Sequence, residues 1–436
     1  MHIAVIGTGI AGLTSAWLLK RSGHEVSLFE KQSSLGMASH GIQIPTDSAS
    51  LSCDVPSRMF NPLLWPNLSK LYDNIGVESA QVDPSKSFCP FAPEHGYTSK
   101  AILKLNDSFD FSLVPQLLLQ PTSRKIVTDI GKMMASAENE LSTMRNSDDK
   151  PVAIPNFKDY LDRSGYTQEF IYQFLYPALC STVCTCSYSS LDLYPADILL
   201  SAMQMLVGAN PLQRTVHGTQ HTANLLSQDV DSINLNTTVS TVCSSGTNAY
   251  VELDNQGIRT KQEFDHVIVA TQANSAASFL GSEFQLEKEL LGRFRYEDVS
   301  VAIHRDEKLM PPRHKDWTTF NFLFQNDNRA AMCSIWLNQF YPNWATEEAY
   351  FQTIMPLNSP RPDMLIATAK LQRPTVTSST DDDIEQLLKL QQRPGRRVWF
   401  CGSYANPGIP LLESGVVSAF RLGKQLGCEL PDRCNI

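Results

Sequence analysis

The most informative spacing in the chain is three glycines and an acid: Gly7-Thr-Gly9-Ile-Ala-Gly12, with Glu30 following 18 positions later. Gly7 suits a tight turn, Gly9 lets a backbone come close to a pyrophosphate, and Gly12 lets a helix pack closely on the strand before it. A helix opening at Ile10 and Ala11 presents unpaired N–H groups and a partial positive charge to phosphate oxygens. Glu30, with Lys31 beside it, ends a second strand at the spacing expected of an acid that holds ribose hydroxyls. A lone Gly-x-Gly-x-x-Gly is a weak signal. Here it follows the apolar run Ile3–Ile6, precedes Leu13–Arg21 and is completed by Val26–Glu30. The segment therefore reads as a strand–turn–helix–strand unit for a dinucleotide. The competing reading is a glycine-rich turn in some other βαβ unit.

Few other side chains offer acid–base chemistry, and the catalytic candidates are Tyr404 and Glu413. Glu413 precedes Ser414 and Gly415 at the start of a C-terminal helix. It reads as a proton carrier or, alternatively, as a first-turn acid that complements the helix dipole. Tyr404 reads as substrate-facing or as packing. His40 sits either at a pyrophosphate edge or in a surface loop, and His217, ahead of Gly218, reads as part of a structural turn. Arg58, followed by Asn61 and Trp65, could hold a carboxylate or phosphate headgroup; the alternative is an ordinary surface or ion-paired arginine. Among ten cysteines, Cys180-x3-Cys184-x-Cys186 lacks the second knuckle or the histidines of a zinc site, which favours apolar packing over a metal. No Ser–His–Asp set with a supporting motif, no HExxH and no P-loop occurs, so nothing points to a hydrolase or a kinase.

The elements that must position these residues are scattered along 436 residues, enough for two or three domains. Apolar content of 42% and charged content of 19% describe an ordinary globular protein, and a net charge of −9 without a basic stripe argues against nucleic acid. No apolar run reaches the ~20 residues of a membrane span. With the first strand beginning at Ile3, no export signal is expected, the thiols should be free, and the cytoplasm is the expected location; a peripheral membrane contact stays open. Ile233–Val242 and Tyr250–Leu253 read as strands around turns at Gly246 and Asn255–Gly257, and Phe264–Ala270 as a buried strand followed by Thr271 and a helix. Arg397–Cys401 reads as a strand, turned by Gly402, before a helix running to about Gly427. Between these pieces, residues from about Leu63 to Val207 look mainly helical, with Gly165 breaking helices at Lys158–Leu161 and Glu169–Leu175. Residues from Phe294 to Leu371 look like strands, including Phe320–Phe324 and Met332–Leu337. Lys370–Asp382 reads as a polar surface loop and Ser142–Lys150 as a polar connector.

Taken together, the glycine turn with Glu30, the strand Val267–Thr271 and the segment Phe400-Cys-Gly402…Glu413-Ser-Gly415 resemble the flavin-containing amine oxidoreductase superfamily. That superfamily includes monoamine and polyamine oxidases, L-amino-acid oxidases, protoporphyrinogen oxidase and phytoene desaturase. A narrower resemblance, covering most of the chain, is to predicted NAD/FAD-binding proteins associated with cyclopropane-fatty-acid synthases. It is carried by Phe60-Asn61…Pro66-Asn67-Leu68, Tyr166–Phe174 with Pro177, Phe264–Thr271, Phe294–Tyr296, Leu309–Arg313 and Trp399–Gly402. The superfamily resemblance implies an α/β chain: a discontinuous Rossmann-type FAD-binding domain (1–62, 208–290 and 391–436) with an inserted α+β substrate domain (63–207 and 291–390). It implies FAD as cofactor, bound by Gly7, Gly9, Ile10, Ala11, Gly12, Glu30, Lys31, Gly36, Val239, Thr271, Gly402, Ser403, Ser414, Gly415 and Val416. In it the backbone near Val239 or Val242 holds the adenine, and the helix opening at Gly415 aims its N–H groups at the flavin, where reduction places negative charge.

The departures from the family pattern bear on the substrate. The usual second glycine after the acid is replaced in Leu35-Gly36-Met37-Ala38-Ser39-His40, and the usual acid after Gly402 is Ser403. The segment Pro407–Leu412 is shorter than in the subgroup and has no His or Asp. In amine oxidases one of two aromatic rings flanking the flavin precedes the final helix, where this chain has Leu411. The apolar Ile409–Leu412 suits a hydrocarbon better than an amine. The expected function is therefore FAD-dependent removal of hydride from a C–H bond of a small apolar or lipid-like substrate. The alternatives are an amine or amino-acid oxidase, a flavin-dependent isomerase, and a flavin- or lipid-binding protein without turnover.

Overall fold

The computed structural model describes all residues except 38–39, 46–49, 92–99, 106–119, 146–153, 208–210, 256–257, 326–328, 345–347, 433 and 435–436. Ala38, Ser39, much of the expected turn at Asn255–Gly257 and the end of the Ser142–Lys150 connector thus lie outside the described residues, as does the side chain of His40.

Five strands form one parallel sheet in the order Val398–Phe400, His266–Val269, β1 (His2–Ile6), β2 (Glu25–Phe29) and Ser232–Asn234. Its central strand is apolar at every position from Ile3 to Ile6 because both faces are covered. Ile3 and Val5 point into a core shared with helix α1 (Ile10–Arg21), helix α2 (Pro66–Ile75) and the C-terminal helix Leu412–Gln425. Ala4 and Ile6 point the other way, into a core with Val239, Val251 and Leu253 of an antiparallel three-stranded sheet. The same core takes Ile384 and Leu387 from a helix at Thr380–Gln391. Thus α2 and the 380–391 helix pack on the parallel sheet, although both fall within ranges expected to belong to the substrate domain.

The second large sheet has seven strands in the order Leu365–Thr375, Arg295–His304, Phe351–Ile354, Ala330–Trp336, Phe320–Gln325, Lys86–Pro90 and Leu103–Leu105. Its neighbours are antiparallel except where Lys86–Pro90 pairs with Phe320–Phe324. Helices from 121 to 207 share its core. Among the described residues 63–207 is mainly helical, as expected, but it also contributes the strands Lys86–Pro90 and Leu103–Leu105 to this sheet. Lys86–Pro90 has no clear period of its own and is a strand because a partner more than 200 residues away supplies its ladder. The expected loop at Lys370–Asp382 is likewise an edge strand followed by a helix. Its polar residues Thr368, Lys370 and Gln372 are the solvent-facing half of an alternating edge, and Asp381–Asp383 fill the first turn of the helix, where acids are favoured.

A buried polar chain crosses the seven-stranded sheet. Nδ1 of His304 accepts from the Asp306 amide at 3.1 Å, which leaves Nε2 to donate to Thr353 Oγ1 at 2.7 Å. Thr353 can then donate to Ser334 Oγ at 2.7 Å, which donates to the Leu309 carbonyl at 2.6 Å. The imidazole is fully buried, and burial holds its pKa down to about 4. An unfolded histidine titrates near its ordinary value of about 6.5. Stability should therefore be constant above that pH and fall as pH drops from about 6.5 towards about 4, by up to about 3 kcal/mol. Denaturant melts across this range should show the slope in the wild type and a weaker one in His304→Gln.

Candidate functional site

At the C-terminal end of β1 the three glycines are needed for different reasons. Gly7 lies at φ +95°, and its amide donates to the Phe29 carbonyl at 2.8 Å; an added Cβ would lie 3.1 Å from both Ala270 O and Thr271 Cγ2. A Cβ on Gly12 would lie 2.0 Å from the Gly7 carbonyl oxygen. Gly9 is different. Its backbone, at φ −64° and ψ 174°, is open to any residue, and a Cβ there would meet nothing within 4 Å. Nothing in the described chain requires a glycine at position 9, whereas an external group approaching the backbone would.

That open space lies at the start of α1, beside Ile10 and Ala11, where a second helix also begins. A Cβ on Gly415 would lie 2.7 Å from Ile10 Cγ2 and 3.7 Å from Ala11 N. The C-terminal helix starts at Leu412, two residues earlier than expected, and the Gly415 amide already donates to Leu411 O at 3.2 Å. The amides free to meet a ligand are therefore those of Leu412, Glu413 and Ser414. Gly415 serves as the contact point between helices, and Val416 is buried behind it. Gly402 donates its amide to Ser418 Oγ at 3.0 Å, which fixes the preceding turn to this helix, while Ser403 begins a short 3-10 turn.

Glu30 sits at the far side. Its Oε2 accepts from the Thr8 amide at 3.0 Å and the Thr8 hydroxyl at 2.6 Å, and its Oε1 accepts from the Gln32 amide at 3.0 Å. An ionised carboxylate has about four acceptor positions, so one on Oε1 remains. Thr8 also accepts from the Gly36 amide at 3.0 Å, tying the loop after β2 to the glycine turn. Met37, where the family has a second glycine, is buried in the helix-side core. The Glu30 carbonyl accepts from the Thr237 amide at 2.9 Å, bringing the chain just before Val239 alongside the acid. Lys31 is exposed. Thr8 was not singled out in the sequence; its only signal is a hydroxyl inside the turn.

The acid–base candidates fall elsewhere. Glu413 accepts from Asn67 N at 3.2 Å, Asn67 Nδ2 at 2.7 Å and Leu68 N at 2.7 Å, so it caps α2 and clamps that helix to the C-terminal one. Tyr404 is buried against Phe294, ring centroids 5.0 Å apart, and burial drives its phenol far above its ordinary pKa. His217 is exposed and pairs with Glu78 at 3.6 Å. Asn61 uses its side chain to accept from Leu63 and Leu64, and Trp65 packs beside α2. Cys401 is buried, with its thiol pushed up to about 12. Among the described residues no cluster of His, Cys, Asp or Glu could hold a metal.

Arg58 lies just beyond the strand Ser50–Val55. The segment before it is fixed by Ser57 N donating to Gln352 Oε1 at 2.6 Å and by Gln352 Nε2 donating to Asp54 O at 2.9 Å. The Asp54 carboxylate in turn accepts from Thr219 N and Oγ1. Burial and then the charge of Arg373 lower the pKa of Arg58 to about 10, and burial also lowers that of Arg373. Arg373 was missed in the sequence; its signal was a lone arginine in phase with Ala369 and Leu371 on an otherwise apolar strand face.

Residues 5–75 match the family model of an NAD(P)-binding Rossmann-like domain. A 1-hydroxycarotenoid 3,4-desaturase from a Flavobacterium species is 32% identical over 97 residues; the match spans 22% of this chain and 19% of the desaturase. Among solved structures, a putrescine oxidase superimposes with a TM-score of 0.67 at 13% identity, covering 98% of each chain. Cyclohexylamine oxidase from Brevibacterium oxydans gives 0.63 at 12%, covering 98% of this chain and 99% of that one. A fatty acid isomerase from P. acnes gives 0.62 at 13%, covering 97% and 98%. The chain therefore has a Rossmann-like unit within the amine-oxidase fold.

Two pairs of variants test this geometry. Gly9→Ala should keep wild-type stability within about 0.5 kcal/mol and lose bound dinucleotide, whereas Gly12→Ala should lose more than about 3 kcal/mol or fail to fold; thermal melts with cofactor content separate the two. Glu413→Ala should cost about 2 kcal/mol through the uncapped α2, with Glu413→Gln recovering part of it in denaturant melts.

Proposed function

We propose that the protein is an FAD-dependent oxidoreductase acting on an apolar or lipid-like substrate. One observation carries the reading: the N-termini of α1 and of the helix at Leu412 meet at Gly415 and Ile10, beside a glycine that only an outside group explains. A pyrophosphate at the first N-terminus and a flavin ring at the second account for both. Glu30, with Lys31 and Gly36 nearby, would take the adenosine ribose, the backbone at Val239 the adenine, and Thr271, Gly402 and Ser403 the edge of the cleft. In this reading the FAD-binding part comprises 1–62, 208–290 and 391–436, with α2 and the 380–391 helix packed onto it.

FAD bound there would supply a two-electron acceptor for the hydride of a substrate C–H bond, and loss of a proton from the neighbouring atom would complete a C=C or C=N bond. The chain's own contribution is shape and charge. Ile409 packs on the core beneath the seven-stranded sheet, as do Met59, Ala369 and Leu371, all partly accessible. Ile409 stands two residues before Leu411, the position at which an amine oxidase would carry an aromatic ring. Glu413 is committed to α2 and Tyr404 to the core, so neither of the two sequence candidates is available as a proton carrier there. The proton that leaves with the hydride would then pass to solvent or to the substrate's own basic group. Isomerisation without net oxidation is the second reading, prompted by the likeness to the fatty acid isomerase fold.

Protein purified from its expression host should be yellow, with an oxidised flavin spectrum. Under anaerobic conditions a saturated apolar substrate should bleach it, and primary amines should not. Product formed without bleaching would favour isomerisation, and a colourless, flavin-free preparation would sink the proposal.

A further inference from the structure

Thr8 stands between Gly7 and Gly9, and its place is set by both neighbours. Gly7 turns the chain at φ +95° and α1 opens at Ile10, so the Thr8 backbone is pinned between a turn and a helix. Its side chain is fully buried. The hydroxyl lies 3.0 Å from the Gly36 amide and 2.6 Å from Glu30 Oε2. An amide N–H can only donate, and a carboxylate can only accept. The hydroxyl therefore accepts from Gly36 and gives its single proton to Glu30. The contacts run one way, from the Gly36 amide through Thr8 to the acid.

Both ends of that relay are held. Leu35 and Met37 are buried in the helix-side core on either side of Gly36, so the loop after β2 presents this one amide to Thr8. Met37, where the family has a second glycine, is thus an anchor of the loop. At the other end, the Glu30 amide donates to the Asn234 carbonyl at 2.9 Å and the Glu30 carbonyl accepts from Thr237 N at 2.9 Å, which fixes the backbone of the acid. Its Oε2 takes both Thr8 donors, and its Oε1 takes the Gln32 amide. A loop tie alone would need only Thr8 and Gly36; a half-buried charge is a costly addition to it. That charge keeps an acceptor position open on Oε1, aimed before any ligand arrives. A loose glutamate gives up rotamer freedom when it takes a ligand, and one already held does not.

We propose that Thr8 is a positioning residue for the cofactor: its hydroxyl carries the Gly36 anchor to Glu30 and holds the carboxylate in the orientation that receives the adenosine ribose. This rests on the FAD reading above and adds to it how the ribose end of the site is made ready. The effect of Thr8 on the cofactor then passes through Glu30.

The dissociation constant for FAD, read from the fluorescence of flavin released on serial dilution of the yellow protein, tests this. Thr8→Val keeps the shape of the side chain without its hydroxyl and should weaken FAD by about 10-fold. Thr8→Ser should recover most of that loss. In a Glu30→Ala background, itself weakened, Thr8→Val should change the constant by less than about 2-fold, because the group it acts through is gone. Thermal melts check that each variant is folded, and Thr8→Ala replaces Thr8→Val if the latter is not. A folded Thr8→Val protein that holds FAD like the wild type overturns the proposal. So does a Thr8→Val loss that persists in full beside Glu30→Ala. Protein isolated without flavin is titrated calorimetrically with ADP, which carries the same adenosine ribose and a diphosphate. An ADP affinity that falls in Thr8→Val would defeat the FAD reading alone; ADP binding indifferent to Thr8, or none, would defeat this proposal as well. Bound FAD without any Thr8 effect defeats this proposal alone.

Discussion

Two helix N-termini held against each other repel, and the architecture around the parallel sheet is arranged to hold them there. The contact at Gly415 and Ile10 brings two partial positive charges together at the end of β1. Glycine at 12 presses α1 onto the turn that precedes it, Gly402 and Ser418 lock the second helix to its own strand, and Glu413 clamps that helix to α2. Each of these grips preserves an arrangement that becomes favourable once an anion lies between the helices. In the proposed reading Glu30 takes the sugar-bearing part of that ligand.

How the two large sheets meet is set by a buried polar set rather than by apolar contact alone. Asp54, Ser57, Gln352 and Thr219 satisfy one another across segments distant in sequence, and Arg214 stacks 4.7 Å over the Tyr341 ring beside them. Such networks specify one geometry because a slip leaves buried groups unpaired. Arg58 follows directly from this knot, so its backbone is held by hydrogen bonds one and four residues upstream.

The legible part of the sequence was the part whose signals are local. The glycine turn, Glu30, the strand before Thr271 and the C-terminal helix each announce themselves within a dozen residues, because turn sterics and helix ends act over that range. Lys86–Pro90 and the end of Leu365–Thr375 beyond Leu371 were not legible as strand, since their ladders come from Phe320–Phe324 and Arg295–His304. Glu413 looked like a free first-turn acid until Asn67 and Leu68, more than 340 residues away, were seen to take both its oxygens. Thr8 and Arg373 went unremarked for a related reason: a lone threonine or arginine has no pattern, and its role depends on what the fold brings to it.

The strand order of the parallel sheet also dictates when the fold can close. β1 has the first strand made on one side, β2, but its other neighbour is His266–Val269, which itself waits for Val398–Phe400. A chain emerging from the ribosome therefore carries its glycine turn exposed until Ala270, Thr271 and the helix Leu412–Gln425 have been made to enclose it. Pairings this remote fold slowly, because a long loop must be ordered before any contact rewards it. Until then the apolar faces of β1 and α1 lack their cover, and the strand Val398–Phe400 with the helix Leu412–Gln425 decides whether they are ever protected.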